Sequence, residues 1–336
     1  MTNTPLHILF LGGTGNISTA AVELLVARGQ RVSVLTRGRQ PLPAGAHALI
    51  ADRHDEAAMR RAIGSDWPDV VINFIGYTPA EIALDHALFA GRVRHYVFIS
   101  TTMVYAVPRR HLPLTEDTAR GNPLSPYAQQ KHVCEDWLLE KWRAEKFPLT
   151  IVRPSHTYSA RWIPNPVKSS SYAPVARLER GQPVFVHDDG QGLWTLTAAS
   201  DFAVGLAGLV GRTETLGEAF HITSDEVLTW NQIYAELIRA AGVRDAKVLK
   251  IPTEFLCELL PALREKLPAD KAEPGVFDSA KIKRFVPDFA CRKNFRTGIA
   301  ESIAWFHADP ARQISDPETE AIFERACTAW LAKRTR

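Results

Sequence analysis

Leu6-His7-Ile8-Leu9-Phe10-Leu11-Gly12-Gly13-Thr14-Gly15-Asn16-Ile17-Ser18 is the stretch that decides the fold. A short apolar run that stops at a pair of glycines reads as a buried strand. The turn then feeds Ala20 to Arg28, a helix closed by Gly29, and Arg31 to Leu35 returns as a second strand of alternating Val and Leu. Strand, glycine turn and helix together make a ready anion site, because the first helical amides face the turn. In this G-x-x-G-x-x-S spacing, Gly12 permits the sharp turn and Gly15 the close approach of a pyrophosphate, with Asn16 and Ile17 in the same cradle. Ser18 stands where a third glycine usually packs helix on strand. The competing reading is a glycine turn that holds no ligand.

Outward from this unit, Val70 to Ile75, Tyr96 to Ser100 and Leu149 to Val152 are short, apolar and rich in β-branched residues, as buried parallel strands are. Alternation with helix-period stretches predicts an α/β fold: a doubly wound Rossmann-type parallel sheet of at least five strands. Beyond Pro154 the texture turns irregular, with Pro164, Pro166, Pro174 and Ser169 to Ser171, as in a loop-rich segment framing a cleft. Thr195 to Gly211 is apolar and helix-like, Ala219 to Ile222 reads as a strand returning to the sheet, and helices are expected over 230–241, 297–307 and 319–333. The predicted division is a dinucleotide-binding domain over 1–155 and about 195–225, with a smaller α/β substrate-binding region over about 156–194 and 226–336.

Composition narrows the class. Forty Lys and Arg against 37 Asp and Glu give +3 over 336 residues, too little charge to imply nucleic acid or acidic membrane. With 46% hydrophobic and 23% charged residues the chain is globular rather than disordered. Four separated cysteines, no apolar run of membrane length and no leader-like start predict a cytoplasmic protein. His187, Asp188 and Asp189 are adjacent, a poor arrangement for converging on one ion, and no metal is predicted.

At the end of the second strand, where an NAD-binding fold offers Asp or Glu to the ribose, this chain has Thr36, then Arg37 and Arg39. Two guanidinium groups there suit a 2′-phosphate, so NADP is favoured over NAD, against the alternative of a solvated basic turn. Asp52 closes the third strand beside the expected adenine. Farther on, Tyr127 and Lys131 lie one helical turn apart on one face, after the helix-starting Pro126. Thr101 stands at the mouth of the strand ending at Ser100, at the carboxyl end of the sheet where the glycine turn also lies.

These segments, with Val71-Ile72-Asn73, Phe98 to Tyr105 and Arg153 to Tyr158, resemble the extended short-chain dehydrogenase/reductase superfamily, the NAD-dependent epimerase/dehydratase family. The resemblance implies an NAD(P)-dependent oxidoreductase or epimerase acting on a hydroxyl or keto group of a sugar-like, in some members nucleotide-linked, small molecule. It makes Tyr127 the acid/base, Lys131 the cation that lowers the phenol's pKa and holds the nicotinamide ribose, and Thr101 the group that positions the substrate oxygen. For Thr101, a hydroxyl satisfying local backbone is the competing role.

Departures from the family pattern narrow the chemistry. Family dehydratases carry Asp and Glu after the catalytic threonine; here Thr102 and Met103 stand there, which disfavours dehydration and leaves Thr102 a substrate contact. Trp194 occupies the register of an arginine that binds a nucleotide diphosphate, and is read equally as a stacking surface or core. His156 faces the substrate by family position or is a satisfied structural histidine. Arg161, Lys168 and Arg177 are candidate anion contacts or solvated surface. A homodimer through the tyrosine helix is implied by resemblance alone; Trp137, Leu138 and Trp142 suit such an interface and equally suit the helix's own core face. The alternative is an atypical, nucleotide- or RNA-binding member without turnover, supported by the clusters Arg92, Arg94, His95 and Arg109, Arg110, His111.

Overall fold

The computed structural model describes residues 4–335. Its strands are β1 His7–Leu11, β2 Arg31–Thr36, β3 His47–Ile50, β4 Val70–Asn73, β5 His95–Ile99, β6 Leu149–Pro154, β7 His156–Tyr158, β8 Val184–His187, β9 Leu193–Ala198, β10 Ala219–Ile222, β11 Val227–Thr229 and β12 Val248–Ile251. Seven of them form a wholly parallel sheet in the order β3-β2-β1-β4-β5-β6-β10. The direction of winding reverses between β1 and β4, which opens a crevice at their carboxyl ends.

The helices are α1 Ser18–Ala27, α2 Glu56–Ile63, α3 Pro79–Phe89, α4 Pro126–Glu145, α5 Ala173–Glu179, α6 Ala199–Leu209, α7 Trp230–Ala241, α8 Thr253–Leu259, α9 Ala280–Phe285, α10 Phe295–His307 and α11 Pro317–Arg334. Side-chain alternation along β1 serves both faces of the sheet. Ile8 and Phe10 pack with Val22, Phe202 and Ile282 of α1, α6 and α9, while Leu9 and Leu11 pack with Met59, Ile82 and Leu138 of α2, α3 and α4. Local signals start two helices that matter for the site. Thr78 and Glu81 close a reciprocal capping box on α3, and Ser125 caps α4 with Pro126 in its first turn.

The smaller region holds the three-stranded sheet β11-β9-β7 and the pair β12-β8, packed with α5, α7, α10 and α11 around Trp230, Tyr234, Phe185 and Phe323. One expectation changes here. Residues 195–198 belong to strand β9 rather than a helix, because Leu193–Ala198 pairs with β11 and β7. Ile282, Val286 and Phe289 share a core with Phe220 and Ile222 of β10 and with α6. Leu138 is buried, and Trp137 and Trp142 pack partly buried against the same core. No helix of the described residues is long and apolar enough to cross a membrane.

Candidate active site

The glycine turn is shaped by close packing. Gly12 has φ +83°, and a Cβ there would lie 2.5 Å from Ile75 Cγ2; a Cβ on Gly13 would lie 2.7 Å from Val34 Cγ1. Gly13 therefore supplies the tight helix–strand contact expected of the third motif position. Ser18 ties the turn instead, its Oγ accepting the Gly15 N–H at 2.9 Å. Ile17, at the N-cap of α1, supplies no capping side chain, which leaves the helix's first amides suited to an anion. Asn16 differs from expectation: its amide donates to Thr157 O at 2.8 Å and accepts from Ser159 Oγ at 2.5 Å, so the side chain joins the turn to the segment after β6.

Beside the turn lies a cavity of about 410 Å³ lined by Gly12, Thr14, Thr36, Arg37, Asp52 and His54, among others. Arg37 is in it; Arg39 is exposed and outside its lining. Asp52 accepts from the His54 N–H and Nδ1, both at 2.9 Å, and these bonds hold its carboxyl below the usual range. Under the cavity, Arg53 donates to Ile75 O at 2.6 Å, Glu81 O at 3.0 Å and Asp85 at 2.9 Å. Asp85 also accepts from Asn73 and Tyr96, and burial pushes it up to about 6. Asn73 Oδ1 accepts from Ile75 N–H, so this buried network sets the turn bearing Ile75 and Tyr77.

A second cavity, about 280 Å³, brings together Thr101, Thr102, Tyr127, Lys131, His156 and Trp194. Six residues spread over 94 positions thus meet at the carboxyl ends of β5 and β6. Lys131 is 1% exposed; its ammonium donates to Ile99 O at 2.7 Å and lies 4.7 Å and 5.1 Å from the Phe98 and Tyr77 ring centres. Burial lowers it to about 8. Tyr127 keeps 40% exposure with its ring 6.3 Å from that of Tyr77. Desolvation of the phenol, reinforced by Tyr77, pushes it above the usual range, while the Thr101 hydroxyl acts the other way. Thr101 Oγ1 also accepts from Met103 N–H at 3.2 Å and caps the turn Thr102–Val104, so it does local backbone work as well.

Residues 8–222 match the NAD dependent epimerase/dehydratase family over well over half of the chain. The chain belongs to this family. A 2′-dehydrokanamycin reductase of Streptomyces kanamyceticus is 29% identical over 84% of this chain and 80% of its own. The chloroplast stem-loop binding protein of 41 kDa b from Arabidopsis thaliana is 24% identical over 74% and 67%. An epimerase from Methanothermobacter thermautotrophicus shares the fold with a TM-score of 0.76 at 17% identity, covering 91% of this chain and 94% of that one.

Within this family member, His156 and Trp194 are joined. Their ring centres are 6.4 Å apart, Trp162 lies 5.2 Å from the His156 ring, and Trp230 backs Trp194 at 5.8 Å. Burial holds His156 down to about 3, so it is a neutral imidazole in an aromatic wall. Arg161, Lys168 and Arg177 are not in the cleft lining. Arg177 is buried and clamps Glu320 and Glu324 of α11 at 2.8 Å each, Lys168 pairs with Asp316, and Arg161 lies over Trp305. Sequence reading missed Tyr77, Trp162 and Asp270, which also line the cleft. No local pattern marks any of them.

Proposed function

We propose that the protein is an NADP(H)-dependent reductase of a ketone on a sugar-like ring, working also in the oxidative direction, with Tyr127 as acid/base. The convergence of Tyr127, Lys131 and Thr101 in one cleft beside the glycine cradle carries this reading. The cradle fits a dinucleotide: side chains are excluded at Gly12 and Gly13, and α1 opens uncapped. Gly12, Gly15 and the Ile17 region would hold the pyrophosphate, Asp52 the adenosine end and Lys131 the nicotinamide ribose. When bound, the nicotinamide supplies or accepts the hydride.

The chain's own residues do the rest. Tyr127 delivers a proton to the carbonyl oxygen, Thr101 orients that oxygen, and the positive charge of Lys131 favours the phenolate left behind. NADP is favoured because Thr36 places no carboxylate at the end of β2 and Arg37 lines the adjoining cavity. Thr102 and Met103 offer no acid/base pair, so dehydration lacks its groups, and the likeness to a reductase supports simple oxidoreduction. A tightly packed Trp194 in place of a diphosphate-binding arginine supports a substrate without a nucleotide. A homodimer belongs to this reading by family likeness, as does a cytoplasmic setting.

The RNA-binding alternative is weakened but keeps part of its surface: His95 and Arg109 are buried, Arg92 lies over Trp67 and Arg94 faces Asp69, while Arg92, Arg94, Arg110 and His111 stay exposed. Calorimetric titration of NADP(H) and NAD(H), with mass spectrometry of copurifying cofactor, tests the reading. Dissociable, preferred NADP(H) is expected. Tightly retained NAD would make the protein an epimerase, and RNA binding without affinity for either cofactor would overturn the enzyme.

A further inference from the structure

Asp270 reaches the catalytic cleft from the smaller region, and nothing in the proposed proton transfer requires it. It sits on a π-helical turn, Leu267–Lys271, whose amides bond five residues back: Lys271 N to Lys266 O at 3.1 Å and Ala272 N to Leu267 O at 2.9 Å. Such turns are rare and concentrate at functional sites. The turn is pinned from three sides. Buried Asn122 donates to Ala269 O at 2.7 Å and Met103 O at 3.1 Å; Lys271 O accepts from His187 at 2.9 Å and Trp230 at 3.1 Å; Arg109 donates its N–H to Glu273 and its Nη1 to Pro274 O.

For all that anchoring, the carboxylate is poorly matched. Its nearest cations are Lys271 Nζ at 3.5 Å and Arg109 Nη2 at 3.9 Å, both well beyond the roughly 2.8 Å of a charge-assisted hydrogen bond. Arg109 Nε and Nη2 are buried without partners among the described residues, so the guanidinium has not closed on the acid either. A carboxylate 8% exposed with lone pairs so loosely used is costly unless a ligand's donors complete it. Facing the same space are the indoles of Trp162 and Trp194, and Trp194 Nε1 is itself a buried donor without a partner. A fixed acceptor beside aromatic walls suits a ring with polar edges and apolar C–H faces.

Resting on the reductase reading, we propose that Asp270 determines specificity in this cleft, accepting hydrogen bonds from hydroxyl or ammonium donors on the ring that bears the reacting carbonyl. Among the cleft's lining residues the basic side chain is Lys131, already bonded to Ile99 O, while Asp270 adds an acid, so the site selects free ring polyols or amino sugars over nucleotide-linked ones.

The test is calorimetry on the full chain saturated with NADP⁺, using kanamycin for ring ammonium groups, myo-inositol for hydroxyls alone and UDP-glucose for the nucleotide-linked class. Kanamycin or myo-inositol binds the unaltered protein, and Asp270→Asn and Asp270→Ala each weaken that binding by about tenfold or more, with NADP⁺ affinity unchanged. Binding of myo-inositol shows that hydroxyl donors suffice; Asp270-dependent binding of kanamycin without myo-inositol restricts the site to the aminated, multi-ring class. Equal affinity in Asp270→Asn, preference for UDP-glucose, or no binding of any probe overturns the proposal. The NADP⁺ titration without probe reports separately on the cofactor reading, and Asp270-dependent probe binding would survive its failure.

Discussion

Arg153 grips Glu135 with two prongs, Nε to Oε1 at 2.9 Å and Nη2 to Oε2 at 2.7 Å, and both side chains are fully buried. The pair joins β6 to α4, the helix that presents Tyr127 and Lys131. Arg153 also donates to Tyr105 at 3.0 Å and Glu116 O at 2.8 Å, and Arg120 reaches Glu135 from the rim at 2.8 Å. Helix α4 is thus oriented by charge, through the arginine that opens the segment leading to His156.

Removing one member of a buried pair strands the other, so Glu135→Leu should cost about 3–5 kcal/mol. The double change Glu135→Leu with Arg153→Met should recover a good part of it, since a packed apolar pair needs no desolvation of charge. Urea midpoints for the three proteins settle this, and a single-variant loss under about 1 kcal/mol would deny the clamp its structural role.

Tyr127→Phe keeps the ring beside Tyr77 and removes the hydroxyl that carries the proton. Turnover should fall by about 10²–10⁴-fold with cofactor affinity unchanged. Lys131→Met should lower both turnover and cofactor affinity. Single-turnover kinetics combined with cofactor titration separates the two effects, and a Tyr127→Phe enzyme keeping a tenth of its activity would remove the phenol from the mechanism.

Arg37→Ser deletes the guanidinium in the adenosine cavity. NADPH binding should weaken by about tenfold to a hundredfold, the worth of one or two charge-assisted hydrogen bonds, while NADH binding barely moves. Arg39→Ser, outside the lining, should have a much smaller effect. Equal losses for both cofactors in Arg37→Ser would be the contrary result.

Stability should decline in acid. Burial holds His95 and His187 down to about 4 and His221 to about 3, below the 6.5 of the unfolded chain. Each neutral histidine contributes fully above pH 6.5, and the contribution is lost as pH falls toward 4, at about 1.4 kcal/mol per pH unit. Asp85, raised to about 6, works the other way: its ionised form costs stability above pH 6 and relief comes as pH falls toward 4. Three histidines outweigh one aspartate, so calorimetric Tm should drop from pH 7 to 5.5 and again to 4.5. A flat or rising Tm would refute the balance.

The amino-acid sequence alone determined the strand–glycine–helix unit, the parallel strands and the Tyr127–Lys131 face, because each depends on neighbours within one or two turns of chain. Period-two alternation in β1 and the Ser125-Pro126 start of α4 are local facts, and they survive folding. What only tertiary structure decided depends on distant segments meeting. Asn16 spends its amide on Thr157 and Ser159, Arg177 is taken by α11, Gly13 rather than Ser18 makes the tight packing contact, and Asp270 arrives beside Tyr127 from 143 positions away. None of these pairings leaves a periodic trace, since hydrogen bonds and ion pairs are set by the approach of surfaces, whereas hydrophobic rhythm records only which face of one element is buried.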